Sequence, residues 1–479
     1  MKSQRFRFRT AATVLALPAL LALTGVGAAF AQPPQGVFRD GSNASGALPQ
    51  ASTAFGDDVK TASISVPAPG SEFVVNVKAF GAIGDGKTDE TKAFQAALDS
   101  LGQNGGTVVV PPGQYRFEGS LEIPQSATLR GPWNSVTAHN GCRDRGLPRP
   151  TDDGATFQVV GNAGTEDAPA FIKLNTNSVL QGVVLYWPDQ KEDDVPVAYP
   201  WAIEMRGKNP AVVDVELLNP YNGIDASRNE RALIRNVHGQ PLRRGIFVDK
   251  IYDIGRIENV HFNPWWSMKP KLFDWQKTHG EAFIFNRTDW HYVLNTFCFG
   301  YSVGYKFGGS DAGLCNGNFL GIGADACHTS VLVEQSAVFG VLITNGEFVA
   351  MNGENPTMVV VDKTNFGSVR FSNCAFWGPC EQIARIDGRG MIGFSDCEFC
   401  QWDRANQNKP ALQVDGGSVM VRGCNFQTDK PQMKISASAK RAIVTDNFVA
   451  GAVRVESDCK NVRIDGNLGT ETPKPRREK

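Results

Sequence analysis

The chain reads as an all-β solenoid, a parallel β-helix of stacked rungs closed at one end by a single capping helix. Three observations point there. One amphipathic helix near residue 90 is followed by almost no helical periodicity. Short apolar runs separated by turns fill the rest of the chain. Those runs share one form, apolar-x-apolar-x-[Asn/Asp/Gly]-x-x-Phe, and its late copies recur about every 20 to 28 residues, a period that marks stacked repeats.

Taken in order, residues 1–31 read as a secretory signal peptide. Lys2, Arg5, Arg7 and Arg9 precede a short apolar run from Val14 to Leu23, and Ala29-Phe30-Ala31 fits a small-x-small cleavage site. The expectation is a secreted or periplasmic protein with no membrane span after signal cleavage. Residues 32–70 are rich in Pro, Ala, Ser and Gly without apolar periodicity, and are expected to form a flexible arm. Residues 71–469 form the β-helix domain, and residues 470–479, rich in Pro and charge, a disordered tail.

The stretch from Phe73 to Trp133 organises the domain. Asp85-Gly86 supplies a turn, Thr88 or Asp89 caps a helix, and Ala93, Phe94, Ala97, Leu98 and Leu101 give that helix one apolar stripe. Gly105-Gly106 ends it, Val108 to Val110 form a buried strand, and Pro111-Pro112-Gly113 stops the strand. Asp85, Asp89 and Glu90 serve better as turn and cap than as a calcium site, since no ligand loop of known spacing surrounds them.

This stretch resembles the opening of pectate-lyase-superfamily type 3 domains, which are right-handed parallel β-helices related to glycoside hydrolase families 28 and 55. The resemblance is carried by Gly84-Asp85-Gly86, Asp89-Glu90-Thr91, Ala93-Phe94-Gln95-Ala96-Ala97, Gly105-Gly106-Thr107-Val108, Pro111-Pro112-Gly113-Gln114-Tyr115 and Leu129-Arg130-Gly131. It implies the fold and says little about the reaction. The family 28 catalytic motifs are not matched: Asn175-Thr176-Asn177 and Arg385-Ile386-Asp387 depart from them, so no catalytic residue is carried over.

The later segments repeat the rung form, from Ala211-Val-Val-Asp-Val-Glu-Leu-Leu to Ile443-Val-Thr-Asp-Asn-Phe. Apolar residues alternate inward, the Asn/Asp/Gly position turns a corner, and the Phe begins the next face. Cys374, Cys397 and Cys424 occupy the same place in three copies, which an inward ladder of small residues explains. The ten cysteines are an even number in an oxidising destination, so some disulfides are compatible with them. A net charge of −1 with scattered basic residues leaves no footprint for nucleic acid.

Chemistry is expected where the rhythm breaks. Between Arg244 and Tyr292, carboxylates and tryptophans crowd an insertion. Sugar cleavage needs paired carboxylates, and flat aromatic faces hold pyranose rings. Asp249, Asp253, Glu258, Glu281 and Asp289 are the catalytic candidates; Arg244, His261, Trp265, Trp266 and His291 are the substrate-binding ones. Each has a plainer reading as a corner, strand or flank-covering residue. The leading function is a secreted glycoside hydrolase cleaving a polysaccharide with a carboxylate acid/base pair in a groove on the β-helix. A calcium-dependent polysaccharide lyase is the first alternative, and a non-catalytic glycan-binding or structural β-helix, trimeric in some assemblies, the second. No cofactor or metal is expected, except calcium if the protein is a lyase.

Overall fold

The corner of the repeat decides the architecture. In a computed structural model describing residues 73–135 and 154–470, the Asn/Asp/Gly position of each rung is left-handed. Asp214, Asn236, Asn259, Asn295, Asn345, Asn373, Asp396 and Asp446 have φ between 50° and 59°, and Gly182, Gly321, Gly423 and Gly466 between 63° and 70°. Asn, Asp and Gly are the residues that tolerate this region. The asparagines stack: Asn236 Nδ2 donates to Asp214 Oδ1 at 2.8 Å and Asn259 Nδ2 to Asn236 Oδ1 at 2.9 Å. Where glycine replaces them, a Cβ would collide with the neighbouring acceptor, at 2.6 Å for Gly423 against Asp396 Oδ1.

These corners join two parallel ladders into one sheet. Four strands, Ala211–Leu217, Leu233–Gly239, Arg256–Phe262 and His291–Phe299, run through the corner without a break. A second sheet of thirteen parallel strands, from Leu121–Ile123 to Val455–Ser457, forms the remaining face. The chain visits the faces in turn and stacks as a right-handed parallel β-helix.

The interior is a set of ladders, because every rung places like residues above like. Phe371 stacks on Phe394 at 5.0 Å, and Phe376, Phe399 and Phe426 follow one another at 5.4 and 4.8 Å. Cys374, Cys397 and Cys424 are free and buried beside them; among the described residues nine cysteines are free. Asn447 continues that ladder one rung on. In that last copy Phe448 is therefore an outward residue, 60% exposed and in register with Asn425, while Val449 takes the inward place.

The cap is helix α1 (Thr91–Asp99). Its Phe94 meets Tyr115, Phe117 and Phe157 edge-on at 5.0 to 5.4 Å, closing the end of the core. The N-cap position is Glu90, not Thr88 or Asp89, and it makes no side-chain cap bond; Asp89, one residue earlier, accepts the Thr91 N–H through Oδ1 at 3.2 Å. Glu90 is buried and turns back, its Oε1 accepting the Ile83 and Gly84 N–H groups. Of the valine run, Val108 and Val110 point inward and Val109 is half-buried, so that strand is covered on one face only.

A second helix, α2 (Pro270–His279), was not anticipated by periodicity. Pro270 starts it, and it occupies the connection between Phe262 and the next rung at Glu281, where the repeat rhythm breaks. The segments expected to be a signal peptide and a flexible arm, the stretch around Cys142 and the residues beyond Thr470 lie outside the described residues. No helix among the described residues is long and apolar enough to cross a membrane.

Candidate functional site

The outer face of the thirteen-strand sheet is made by a recurrent irregularity. In Arg244–Asp249 and its neighbours the second residue is small and turns inward. A Cβ on Gly245 would lie 2.2 Å from the Ala282 carbonyl oxygen and 2.7 Å from the Phe262 ring. The residue before it is thrown outward. Arg244, Glu281 and Val303 thus share one outward row in register, and Phe247, Ile284 and Lys306 the next.

Charge and aromatic surface converge on these rows. The Arg244 guanidinium lies 4.6 Å over the Trp201 ring, pairs with Glu166, and its Nε donates to Asn222 Oδ1 at 2.9 Å. Trp201 stacks on Phe247 at 6.1 Å and 21°. Lys306 lies 3.3 Å from Glu281 and 3.2 Å from Glu334, and Arg243 approaches Glu281 at 3.7 Å. Burial alone would pull the Lys306 ammonium down, but the two carboxylates outweigh it and hold its pKa above the ordinary lysine value.

Helix α2 walls one side. Its Trp275 stacks on His279 at 4.6 Å and packs against Tyr221 at 5.9 Å. The Arg243 Nη1 donates to the His279 carbonyl at 2.7 Å. Beyond it a polar cavity of about 510 Å³ is lined by Asp274 and Lys277 of α2 with Ser302, His328, Asn352 and Glu354. His328 Nε2 sits 3.0 Å from the Glu354 carbonyl. The opposite edge holds a hollow of about 440 Å³ with Lys208, Arg228, Lys250 and Tyr252.

The ten candidates do not form one site. Asp249, Glu281 and Arg244 share the outer face of the sheet. Asp249 is buried at the strand end, where its Oδ1 accepts the Lys250 and Arg287 N–H groups. Glu281 is in register with Arg244, five residues earlier along the strand. At about 3.3 Å per residue that is roughly 16 Å, beyond the span over which two carboxylates cooperate on one glycosidic bond. Asp253 and Asp289 meet in a turn: the Asp253 N–H donates to Asp289 Oδ2 at 3.2 Å, and the Asp253 carboxylate pairs with Arg231 at 2.6 Å.

Glu258 faces outward on the other sheet, in a cavity of about 460 Å³ with Arg256, Tyr292, Leu294 and Leu320. His261 lies next to His238, their rings 5.9 Å apart, with Trp265 covering both. Trp265 and Trp266 are buried against the flank, so neither offers a face to a ligand. His291 is fully enclosed, and both its ring nitrogens lack a hydrogen-bond partner.

Sequence reasoning missed Trp201, Phe247, Lys306 and Glu334. The signal was present: Arg244-Gly-Ile-Phe-Val, Glu281-Ala-Phe-Ile-Phe and Val303-Gly-Tyr-Lys-Phe share a small second residue that aligns the outward rows. Among the described residues no group of three or more His, Cys, Asp or Glu side chains is placed to hold a metal ion.

With this geometry in place, the comparisons with known proteins concern the fold. Residues 74–188 match the family model described as rhamnogalacturonase A/epimerase, pectate lyase-like. Alginate lyase 7 of Azotobacter vinelandii is 53% identical over 55 residues, which is 11% of this chain and 6% of that protein. The pre-neck appendage protein of Bacillus phage B103 is 40% identical over 60 residues, 12% of this chain and 6% of that protein. The chain thus spans only a small fraction of these relatives' length.

Among solved structures, the N-terminal fragment of bacteriophage Phi29 gene product 12 superposes with a TM-score of 0.59 at 15% identity, covering 82% of this chain and 70% of that one. The DFA-IIIase of Arthrobacter chlorophenolicus superposes at 0.50 and 12% identity, covering 84% and 100%. At such identities these likenesses show the fold alone. The chain folds as a parallel β-helix, and its residues 74–188 are similar to the pectate-lyase-like family.

Proposed function

We propose that this protein is a secreted enzyme that hydrolyses a polysaccharide lying along the outer face of the thirteen-strand sheet. One observation carries the reading: Glu281 and Glu334 flank the same ammonium, that of Lys306, beside the Trp201–Phe247 platform. Two carboxylates touching one ammonium have their nearest oxygens no more than about 6.5 Å apart, close enough to act on one glycosidic bond. Trp201 and Phe247 supply a flat apolar surface for sugar rings, and Arg244 a forked donor for hydroxyl or carboxylate groups.

In this reading Glu281 and Glu334 act on the glycosidic oxygen and the attacking water, and Lys306 tunes their protonation. Lys306, held protonated, is poorly suited to abstract the proton that β-elimination requires. The pectate-lyase-like match and the polysaccharide-directed names of the N-terminal relatives support a glycan substrate.

The test is a panel of neutral and uronic-acid polysaccharides incubated with the mature chain, with and without EDTA. New reducing ends without unsaturated-uronide absorbance, lost in Glu281→Gln and in Glu334→Gln, are the expected result. Absorbance abolished by EDTA would establish the calcium-dependent lyase instead. Binding without turnover on every polymer would leave a non-catalytic glycan-binding protein.

A further inference from the structure

We infer that the turns leading into the C-terminal rungs carry a docking surface for an anionic lipid bilayer. A hollow of about 410 Å³ lies there, lined by Arg389, Lys440, Arg441, Val338, Phe366 and Met391. Its floor is bare backbone. A Cβ on Gly367 would lie 1.9 Å from the Ser336 carbonyl oxygen, and one on Gly390 1.9 Å from that of Gly367. The close approach of successive rungs forces glycine there and leaves the hollow open.

Its electrostatics differ from those of the sugar groove. In the groove each cation faces a carboxylate, as Lys306 faces Glu281 and Glu334. Among the described residues no carboxylate lines this hollow. Among the described residues Arg389, Lys440 and Arg441 form no ion pair; the Arg441 Nε donates only to Ser418 Oγ at 3.2 Å. Three unneutralised cations around one hollow suit a phosphate-bearing partner.

Large apolar side chains stand at the same rim. Val338, Phe339 and Phe366 are 68%, 63% and 48% exposed, all on turns. Sugar platforms present the flat face of a packed ring. Projecting Phe and Val tips collared by cations fit instead the boundary between headgroups and acyl chains, where apolar tips insert and Lys or Arg meets phosphate. The surface lies where the chain enters Val341–Thr344, Ser368–Ser372, Met391–Ser395 and Arg441–Thr445, strands of the other sheet from that bearing the groove.

The experiment is co-sedimentation of the mature chain with phosphatidylcholine vesicles, with and without phosphatidylglycerol. Binding is expected only with phosphatidylglycerol. It should weaken about 5-fold for each of Arg389→Ala, Lys440→Ala and Arg441→Ala, weaken also in Phe339→Ser and Phe366→Ser, and fade at about 0.5 M salt. Thermal melts matching the parent would show that the variants fold. Equal binding to both vesicle types, no binding, or binding indifferent to the cations would overturn the inference. So would retention of dextran sulfate by these residues without vesicle binding, or a self-association that Phe339→Ser abolishes while vesicles are ignored.

Discussion

The Lys306 ammonium lies 3.3 Å from the Glu281 carboxylate, although the two residues belong to successive rungs and to different outward rows. The contact ties the charge state of the groove to a lysine that its carboxylates keep protonated. Glu281→Gln is expected to lower kcat on the cleaved polymer at least about 100-fold, the usual weight of a general acid or base. The melting temperature should move little, since the pair is partly exposed and contributes little to folding.

Lys306→Met separates tuning from positioning. Without the ammonium, Glu281 and Glu334 face each other as like charges, which disfavours ionising both at once. The acid limb of the kcat/KM profile should therefore move to higher pH. An unmoved limb in an active variant would remove Lys306 from the proposed machinery.

Arg244→Ala takes away the group stacked on Trp201 and paired with Glu166. Loss of one cation–π contact and one forked donor should raise KM by about 10-fold with a smaller change in kcat. Steady-state kinetics on a defined oligosaccharide would read the split.

At the corner, Asn236→Leu replaces a left-handed asparagine that donates to Asp214 and accepts from Asn259. The backbone penalty for a residue with a bulky Cβ is about 1–2 kcal/mol, and two ladder bonds go with it. Asn236→Gly should recover most of the backbone part but not the bonds. Thermal melts of the two variants would place Leu below Gly and Gly below the parent.

His291 makes the fold acid-sensitive. Burial, reinforced by the Arg256 charge, pushes its imidazole down to about 3 from an ordinary 6.5. Between those values the unfolded chain binds a proton that the folded chain refuses, so stability falls as pH drops from about 6.5 towards 3. In His291→Leu that part of the acid slope should vanish. A melt series over this range would read it, and an unchanged slope would assign the acid sensitivity to other groups, such as His238, which burial pushes down to about 4.

The fold was legible because its determinant is local. The left-handed corner restricts residues 182, 214, 236 and their successors to Gly, Asp and Asn, and that restriction shows in a single sequence. The cap was legible for the same reason, in Phe94 and its helical neighbours. The site was not. Glu281 meets Lys306 and Glu334 through register between rungs, and a crowded stretch such as Arg244 to Tyr292 is dealt out over several faces of the solenoid. Density of titratable groups along the chain therefore pointed at Glu258, His261 and Asp289, which the winding sends elsewhere. In sequence Trp265 and Trp266 suit a platform or a flank cover equally, and burial makes them the latter. Helix α2 escaped notice because its buried face is only Leu272 and Gln276.

The corner ladder also sets how the molecule can change in length. Successive rungs repeat the same left-handed turn with matching inward and outward rows, as Met391–Ser395 and Ser418–Arg422 do in register. Material can thus be gained or lost at whole-turn steps with both neighbours still in phase, whereas a fractional insertion must be looped out, as α2 is. Chain length is quantised along the axis, and novelty accumulates in the excursions at its edges.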